Sequence, residues 1–358
     1  MTFVWFAAGL AALVVGASLL VRGASKLALS LGISPLVVGL TVVAFGTSAP
    51  EMAVSVGAVL GGRTDIAVGN VVGSNVFNIL LILGVSALII PLVVNVQLIR
   101  QEVPIMIGAC VLLLVLALDG QLGWTDGAMM FSLMIAYTSY LVVQSRRQTR
   151  ASEPGLDPEG QPTAPDTWDG RWPIQVLLVA IGLGLLVAGS NWLVESSVTF
   201  ARALGVSDVI IGLTVVAAGT SLPEVAASIA AALKGERDIA VGNVVGSNVF
   251  NILGCLGLSA LVAGNAGLDV APSIMRFDMW VMIAAALVCV PMFVTGREIA
   301  RWEGGLLVGF YIAYVAYLVL AQKEHDALPE FSTAMLSFVI PITLVALVAT
   351  LVRPKAAP

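Results

Sequence analysis

The sequence has few of the residues that soluble proteins use at their surfaces and active sites. Only 11% of its 358 residues are charged, and it contains one histidine and three cysteines. So little charge excludes a water-soluble globule, because the apolar surface could not be covered. The absence of a basic face or tail argues against nucleic acid as a partner. His325 lies in a polar run, and the cysteines occupy apolar runs as small core residues without metal-type spacing.

Apolar residues dominate what is present: 59% of the chain is hydrophobic and the mean hydropathy is +1.01. This composition predicts an integral, multi-pass membrane protein whose partner is the lipid bilayer. Arg22 and Lys26 follow the first apolar segment, which favours a retained span over a cleaved signal peptide. Apolar segments of spanning length occur near residues 3–21, 35–60, 66–94, 103–118, 123–144, 173–200, 208–233, 239–264, 274–295, 301–321 and 332–352.

These segments divide the chain into four parts. We expect a first five-helix repeat at 1–144, a solvated linker at 145–172 and a second five-helix repeat at 173–322. Residues 323–358 carry an extra C-terminal helix and tail. Because five crossings reverse the direction of the chain, equivalent helices of the two halves run in opposite directions. The sequence therefore predicts an all-α membrane protein built from inverted repeats, with broken helices.

The loop charges predict the orientation of the chain in its membrane. With the N-terminus outside, 13 of the 17 Lys and Arg residues fall on the cytoplasmic side and 4 outside. The linker and the C-terminus are then cytoplasmic, and a cell (inner) membrane is expected. The inside residues are Arg22, Lys26, Arg100, Arg146, Arg147, Arg150, Arg171, Lys234, Arg237, Arg297, Arg301, Arg353 and Lys355, and the outside ones are Arg63, Arg202, Arg276 and Lys323.

One stretch occurs twice and carries most of the functional signal. Residues 39–51 and 65–80 recur at 212–224 and 238–253 with a constant offset of 173, and 65–80 are identical to 238–253 over sixteen positions. Ordinary membrane helices keep their apolarity during divergence, but they do not keep the placement of Ser, Asn, Pro and Glu. The match therefore indicates duplicated chemistry.

Glu51 and Glu224 lie within apolar spans, where a charged side chain costs on the order of 3 kcal/mol on insertion scales. The preceding prolines, Pro50 and Pro223, remove a backbone donor, so both helices should break near residues 46–50 and 219–223. The segments SAPE and SLPE also fit capping boxes, which we expect to be part of their role. A broken helix leaves carbonyls free at membrane depth, where protein, water or an ion must satisfy them.

Carboxylates, free carbonyls and hydroxyls are the oxygen ligands of hard cations. Two glutamates with the carbonyls of both breaks could supply the six to eight oxygens that Ca²⁺ takes. Neutral oxygens beside the carboxylates would suit a monovalent cation such as Na⁺, and four residues offer them: Thr47, Ser48, Thr220 and Ser221. For Thr41 and Thr214, a hydroxyl bonded to the carbonyl one turn back is the better interpretation.

The next helix of each repeat adds further polar residues. Ser74 and Asn78 share one helix face, and Ser247 and Asn251 repeat them. Their alternative role is interhelical hydrogen bonding, and Asn75 and Asn248 remain ambiguous. Glycines at 69, 73, 242 and 246 favour close helix packing. The aspartates at 65 and 238 stand at predicted helix starts as caps.

With GTSAPE and GTSLPE each followed by GSNVFN, the chain resembles the calcium/cation antiporter superfamily, to which sodium/calcium exchangers belong. The resemblance covers about 55 residues in each half. It implies a ten-helix core in which Glu51 and Glu224 bind Ca²⁺ with the backbone at Thr47 and Thr220. It further implies Na⁺ sites, and asparagines lining the middle of the cluster. The residues implied for Na⁺ are Ala44, Thr47, Ser48, Ser74 and Glu51, with Ala217, Thr220, Ser221, Ser247 and Glu224; the asparagines are Asn78 and Asn251.

The chain departs from the family pattern at two points. Some relatives carry Asp where this chain has Asn251, so the site has two carboxylates rather than three. That argues against potassium dependence. The eleventh span lies outside the ten-helix core that the resemblance implies.

The function expected is antiport of Ca²⁺ against Na⁺ by alternating access, with both ions as substrates, no cofactor and no enzymatic activity. Exchange of three Na⁺ for one Ca²⁺, the stoichiometry implied by the resemblance, would be electrogenic. Ca²⁺/H⁺ antiport is the nearest alternative, because two adjacent glutamates could carry protons. A cation channel or sensor is a different class. An intramembrane hydrolase is the weakest hypothesis, because no histidine lies in a predicted span where it could act as a base.

Overall fold

A computed structural model describes residues 2–151, 171–203, 217–322 and 327–352 of the chain. Almost all of these residues are helical. The helices are α1 Thr2–Leu31, α2 Pro35–Thr47, α3 Ala49–Leu60, α4 Thr64–Ile89, α5 Leu98–Leu116, α6 Trp124–Ala151, α7 Trp172–Ala203, α8 Ala217–Gly219, α9 Leu222–Leu233, α10 Arg237–Ala266, α11 Ile274–Val294, α12 Arg301–Gln322 and α13 Leu328–Val348. Four two-residue strands lie in the loops: β1 Leu92–Val93, β2 Gln121–Leu122, β3 Leu268–Asp269 and β4 Glu298–Ile299.

The helices agree with the predicted spans. Within the described ranges, nine helices are long and apolar enough to cross a membrane, and the bent pair of α2 and α3 makes a tenth. The predicted span at 208–233 is represented by α8 and α9, because its first part lies outside the described residues. Helix α6 continues to Ala151, so the first residues of the predicted linker are helical. The predicted eleventh span corresponds to α13.

The short strands tie loops of opposite halves together. Strand β1 pairs antiparallel with β4, and β2 pairs antiparallel with β3. The predicted orientation places the loops of β1 and β4 on the cytoplasmic side and those of β2 and β3 on the outer side. Each pairing therefore joins two loops that were predicted to share a side, as an inverted repeat requires.

Helices α1 and α7, the first of each half, pack along each other at small residues. A Cβ atom added to Gly16 would lie 2.8 Å from the carbonyl oxygen of Gly182, and one added to Gly182 would lie 2.6 Å from the backbone nitrogen of Leu20. Only glycine allows the two backbones to approach this closely. Near the middle of α1, the Lys234 ammonium donates to the carbonyl and the hydroxyl of Ser18, each at 2.7 Å.

The repeated helices α4 and α10 lie in the centre, and the predicted packing role of their glycines holds for α10. A Cβ atom at Gly242 would lie 2.9 Å from the carbonyl of Leu36, and one at Gly246 would lie 2.6 Å from the carbonyl of Leu40. The positions equivalent to Leu36 and Leu40 in the second half are 209 and 213, which lie outside the described residues. The packing role of Gly69 and Gly73 therefore stays a prediction. The predicted helix caps at Asp65 and Asp238 are wrong. Both aspartates lie inside the first turn, and the residues before these helices make no side-chain cap.

Each half also contains a hydrogen bond between an acid and a tyrosine. The Tyr137 hydroxyl on α6 donates to Glu102 on α5 at 2.7 Å, and the Tyr314 hydroxyl on α12 donates to Asp278 on α11 at 2.8 Å. Glu102 also accepts from the side-chain amide of Gln97 at 2.9 Å. These bonds join the fourth and fifth helices of each half, and they were not predicted from the sequence.

Candidate functional site

The second span of each half breaks where its proline predicts. Helices α2 and α3 meet at Ser48 with a bend of 43°, and Pro50 occupies the first turn of α3. In the second half, Thr220 and Ser221 separate α8 from α9, whose first turn contains Pro223. Because proline has no N–H, the chain turns without the backbone hydrogen bond that a continuous helix would form there.

Glu51 and Glu224 follow these breaks and are completely buried. Each carboxylate accepts a hydrogen bond from the serine of the other repeat. The Ser48 hydroxyl donates to Oε1 of Glu224 at 3.1 Å, and the Ser221 hydroxyl donates to Oε1 of Glu51 at 2.7 Å. The two breaks therefore face each other, and the two carboxylates belong to one cluster.

This arrangement overturns the predicted capping boxes. Neither Ser48 nor Ser221 caps the helix that follows it with its side chain. In a capping box the serine hydroxyl accepts from the backbone N–H three residues later, whereas these two hydroxyls are turned to donate to the other repeat. Here the carboxylate of the other repeat is a charged acceptor, and bonds to charged groups are the stronger ones.

Several buried oxygen atoms of the cluster have no hydrogen-bond partner among the described residues. They are Oε2 of Glu51, Oε2 of Glu224, Oδ1 of Asn78 and Oγ of Ser247. A buried acceptor without a partner is costly in a protein interior. A hard cation such as Ca²⁺ binds oxygen atoms whose lone pairs are not occupied by hydrogen bonds, as is the case for these atoms. These four atoms are all oxygens, which favours Ca²⁺ or Na⁺ over a transition metal that prefers nitrogen or sulfur ligands.

The remaining predicted residues surround these atoms. The hydroxyl oxygens of Ser74 and Ser221 lie 3.3 Å apart, and the hydroxyl of Thr220 is buried in the turn before α9. The carbonyl of Ala44 accepts from the backbone N–H of Ser48 at 3.0 Å and from the Thr47 hydroxyl at 3.4 Å, so an ion would have to replace the longer of these two bonds. Ala217 begins α8.

The asparagines of α4 and α10 link the two repeats. Asn78 donates to Oδ1 of Asn248 and Asn251 donates to Oδ1 of Asn75, both at 3.1 Å. Asn75 in turn donates to the carbonyl of Asn248 at 3.2 Å. Asn75 and Asn248, whose role the sequence left open, thus accept hydrogen bonds from the predicted site residues Asn251 and Asn78. Both helices contain a π-helical segment at this level, Asn78–Leu83 in α4 and Phe250–Leu256 in α10. Such segments are frequent at functional sites.

Two further polar pairs were missed from the sequence. Asn70 donates to the carbonyl of Glu51 at 3.2 Å and to the hydroxyl of Ser55 at 3.1 Å. Its counterpart Asn243 donates to Ser228 at 2.9 Å and accepts from the Thr47 hydroxyl at 3.2 Å. Both pairs recur at the offset of 173, so the repeat itself was the signal that could have found them. The bond predicted for Thr41, to the carbonyl of Val37, is present at 2.6 Å, and Thr214 lies outside the described residues.

The comparison with known families decides the assignment. The family model described as "Sodium/calcium exchanger protein" matches residues 1–143 and 174–320, which include both repeats and both glutamates. The chain belongs to the sodium/calcium exchanger family.

Individual relatives and solved structures are similar to large parts of the chain. The sodium/calcium exchanger MaX1 of Methanosarcina acetivorans is 34% identical over 87% of this chain and 96% of its own length. The inner membrane protein YrbG of Escherichia coli is 37% identical over 69% of this chain and 75% of its own length. Among solved structures, the sodium-calcium exchanger NCX_Mj matches with a TM-score of 0.74 and 31% identity, covering 88% of this chain and 98% of that one. The fold is therefore that of a sodium/calcium exchanger.

Proposed function

We propose that this exchanger carries Ca²⁺ in one direction and Na⁺ in the other by alternating access. The observation that carries the proposal is the crossed pair of hydrogen bonds between Ser48 and Glu224 and between Ser221 and Glu51. These bonds use one oxygen of each carboxylate and leave the other, Oε2, without a partner in the described part of the chain. Two such oxygens in one cluster are the ligands that a shared divalent ion requires.

In this proposal, Ca²⁺ binds between the two carboxylates and completes its shell with backbone oxygens at Thr47 and Thr220 and with water. The carboxylates supply two negative charges, which one Ca²⁺ neutralises. Asn78 and Asn251 line the middle of the cluster, and their cross-repeat bonds hold α4 and α10 in register. Asn70 and Asn243 support the helix turns that carry the ligands.

Na⁺ would use the same carboxylates together with neutral oxygens beside them. These are the hydroxyls of Ser48, Ser74, Ser221 and Ser247 and the carbonyls of Ala44 and Ala217. Because three Na⁺ carry one charge more than one Ca²⁺, exchange at that ratio moves net charge. The membrane potential would then contribute about 2.3 kcal/mol per charge per 100 mV.

Alternating access would come from movement of α1 and α7 against the other helices. The glycine contacts between Gly16 and Gly182 support their movement as one unit, because backbones packed this closely separate only at a cost in contacts. The bonds from Lys234 to Ser18 would hold this unit at one of its positions.

We further propose that the chain lies in the cell (inner) membrane with its N-terminus outside and its linker and C-terminus in the cytoplasm. The charge count supports this orientation, since 13 of 17 basic residues then fall inside.

Ion flux in reconstituted vesicles tests the proposal. Vesicles loaded with Na⁺ and diluted into Na⁺-free buffer should take up labelled Ca²⁺, and a K⁺ diffusion potential with valinomycin should change the rate. A proton gradient without Na⁺ should drive no uptake. Uptake driven by the proton gradient and not by Na⁺ would instead establish Ca²⁺/H⁺ antiport, and conductance without countertransport would establish a channel.

A further inference from the structure

The two breaks of the ion site contact the helices that face them through different residues. In the first half, the end of α2 lies against α10, and the Thr47 hydroxyl donates to Oδ1 of Asn243 at 3.2 Å. In the second half, α8 lies against α4 in the equivalent place, yet the Thr220 hydroxyl is buried without a hydrogen-bond partner among the described residues. Asn70, the residue equivalent to Asn243, donates to the carbonyl of Glu51 instead.

The serines next to these threonines show the opposite asymmetry. The hydroxyl oxygens of Ser221 and Ser74 lie 3.3 Å apart, so the second break contacts α4 through its serine. The equivalent contact of the first half would join Ser48 to Ser247. The hydroxyl of Ser247 is fully buried, and it has no hydrogen-bond partner in the described ranges. Each break therefore makes the contact that the other one lacks.

The asparagine and the serine on each facing helix are one turn apart. Ser74 follows Asn70 by four residues and Ser247 follows Asn243 by four, so each pair lies on one helix face, about 6 Å apart along the axis. A break can thus dock through its threonine on the asparagine, or through its serine on the serine one turn further. Residues 65–80 are identical to 238–253, so both repeats contain the residues for the threonine docking and for the serine docking.

Resting on the function proposed above, we propose that the two breaks exchange these dockings during each transport cycle, and that Asn70 and Asn243 are the positioning residues that hold the threonine docking in turn. In this structure the first break has the threonine docking and the second break has the serine docking. In the opposite-facing state, Thr220 donates to Asn70, and the bond from Thr47 to Asn243 is broken.

The inverted repeat explains why such an exchange changes the side to which the site opens. Equivalent helices of the two halves run in opposite directions, so a conformation of one half that opens one side opens the other side when the second half adopts it. The two states contain the same kinds of hydrogen bonds and differ only in which repeat forms them. Two discrete arrangements of nearly equal free energy are what a transporter needs if its ions are to shift the populations.

Two variants that keep the side-chain shape test the exchange. Thr47→Val removes the bond present in this structure, and Thr220→Val removes the bond expected in the opposite-facing state. Na⁺-driven Ca²⁺ uptake is measured in right-side-out and in inside-out membrane vesicles. The quantity compared is the Ca²⁺ concentration for half-maximal uptake at one membrane face divided by that at the other. A change in intrinsic affinity cancels in this ratio, whereas a change in the populations of the two states does not.

The two variants should move this ratio in opposite directions, each by roughly 2–10-fold, the loss typical of one neutral hydrogen bond. The variant with both substitutions should return close to the wild-type ratio, because each state then lacks one bond. The matched control is Thr41→Val, which removes a hydroxyl bonded to the carbonyl of Val37 in its own helix and should leave the ratio unchanged. Shifts in the same direction, or an unchanged ratio in either variant, would overturn the exchange.

Thermal unfolding of the purified full-length protein separates this inference from the transport assignment. Without Na⁺ and Ca²⁺, Thr47→Val should lower the unfolding temperature, because the buried Oδ1 of Asn243 loses its donor. Thr220→Val should not lower it, since the hydroxyl that it removes has no partner in the described part of the chain. Absence of Na⁺-driven Ca²⁺ uptake in the wild type would overturn the proposed function and leave this comparison valid. Equal losses in both variants, or no loss in Thr47→Val, would overturn the asymmetric docking and the exchange with it.

Discussion

The Ser221 hydroxyl donates a 2.7 Å hydrogen bond to Oε1 of Glu51, although 170 positions separate the two residues in the sequence. The equivalent hydrogen bond of the other repeat, from the Ser48 hydroxyl to Oε1 of Glu224, measures 3.1 Å. Each half of the protein thus supplies the donor that orients the acid of the other half. Neither repeat can form this site alone, which explains why the same polar residues stand in both.

Neutralising one acid should abolish transport while preserving shape. Glu51→Gln and Glu224→Gln keep the side-chain volume and remove one of the two charges that attract Ca²⁺. We expect Na⁺-driven Ca²⁺ uptake to fall by about 100-fold or more in each, because charged ligands dominate the affinity of a calcium site. Glu330→Gln, on the exposed surface of α13, is the matched control and should transport normally. Normal uptake by either site variant would contradict the assignment.

Removal of the crossed donors should weaken the site without abolishing it. Ser48→Ala and Ser221→Ala each delete one hydrogen bond to a carboxylate, worth roughly 1.5–3 kcal/mol when the acceptor is charged. The expected result is a lower affinity for Na⁺ in the uptake assay. Ser132→Ala is the control, because that exposed hydroxyl bonds to the carbonyl of Ala128 in its own helix. Equal Na⁺ dependence in all three variants would remove the serines from the site.

A third carboxylate should make the protein depend on Ca²⁺ for stability. Asn251→Asp replaces the amide that donates to Oδ1 of Asn75 at 3.1 Å, and two oxygens then face each other. The unfolding temperature without Ca²⁺ should fall, since an unsatisfied buried acceptor costs about 1–3 kcal/mol. Added Ca²⁺ should raise it more than in the wild type, because binding to the folded state alone is stabilising. An identical Ca²⁺-induced shift would place Asn251 away from the ion.

The close packing of α1 on α7 should tolerate no added methyl group. In Gly182→Ala the new Cβ would lie 2.6 Å from the backbone nitrogen of Leu20, so the helices must separate. We expect lower thermal stability and slower exchange, since overpacking typically costs about 1–3 kcal/mol. Gly184→Ala on the same helix is the matched control, because its Cβ would meet nothing within 4 Å among the described residues. A Gly182→Ala protein with normal stability and rate would show that the two helices do not need this contact.

The repeat allowed the fold and the positions of the breaks to be predicted. A proline and a glutamate inside an apolar span are both energetically costly. Because both recur at the offset of 173, they predict a break at the equivalent position of each half, and both breaks lie there. The strand pairs agree with the predicted sides of four loops. The breaks depend on the local chemistry of proline and glutamate. The side on which each loop lies depends on the number of membrane spans before it, and both can be read from a sequence.

The partners of the polar side chains could not be predicted in the same way. Ser48 and Glu51 fit a capping box within their own helix, and only the approach of the second repeat supplies the carboxylate to which the Ser48 hydroxyl donates instead. Asn75 and Asn248 likewise bond across the repeats rather than within them. Sequence spacing reports neighbours on one helix, whereas these bonds depend on how two halves meet.

The stoichiometry of Ca²⁺ binding tests the shared site most directly. Calorimetric titration of the purified wild type in Na⁺-free buffer should give one high-affinity Ca²⁺ per chain, and Glu51→Gln and Glu224→Gln should each give none. Two ions per wild-type chain, with one retained in each single variant, would mean that the glutamates hold separate ions and would contradict the account.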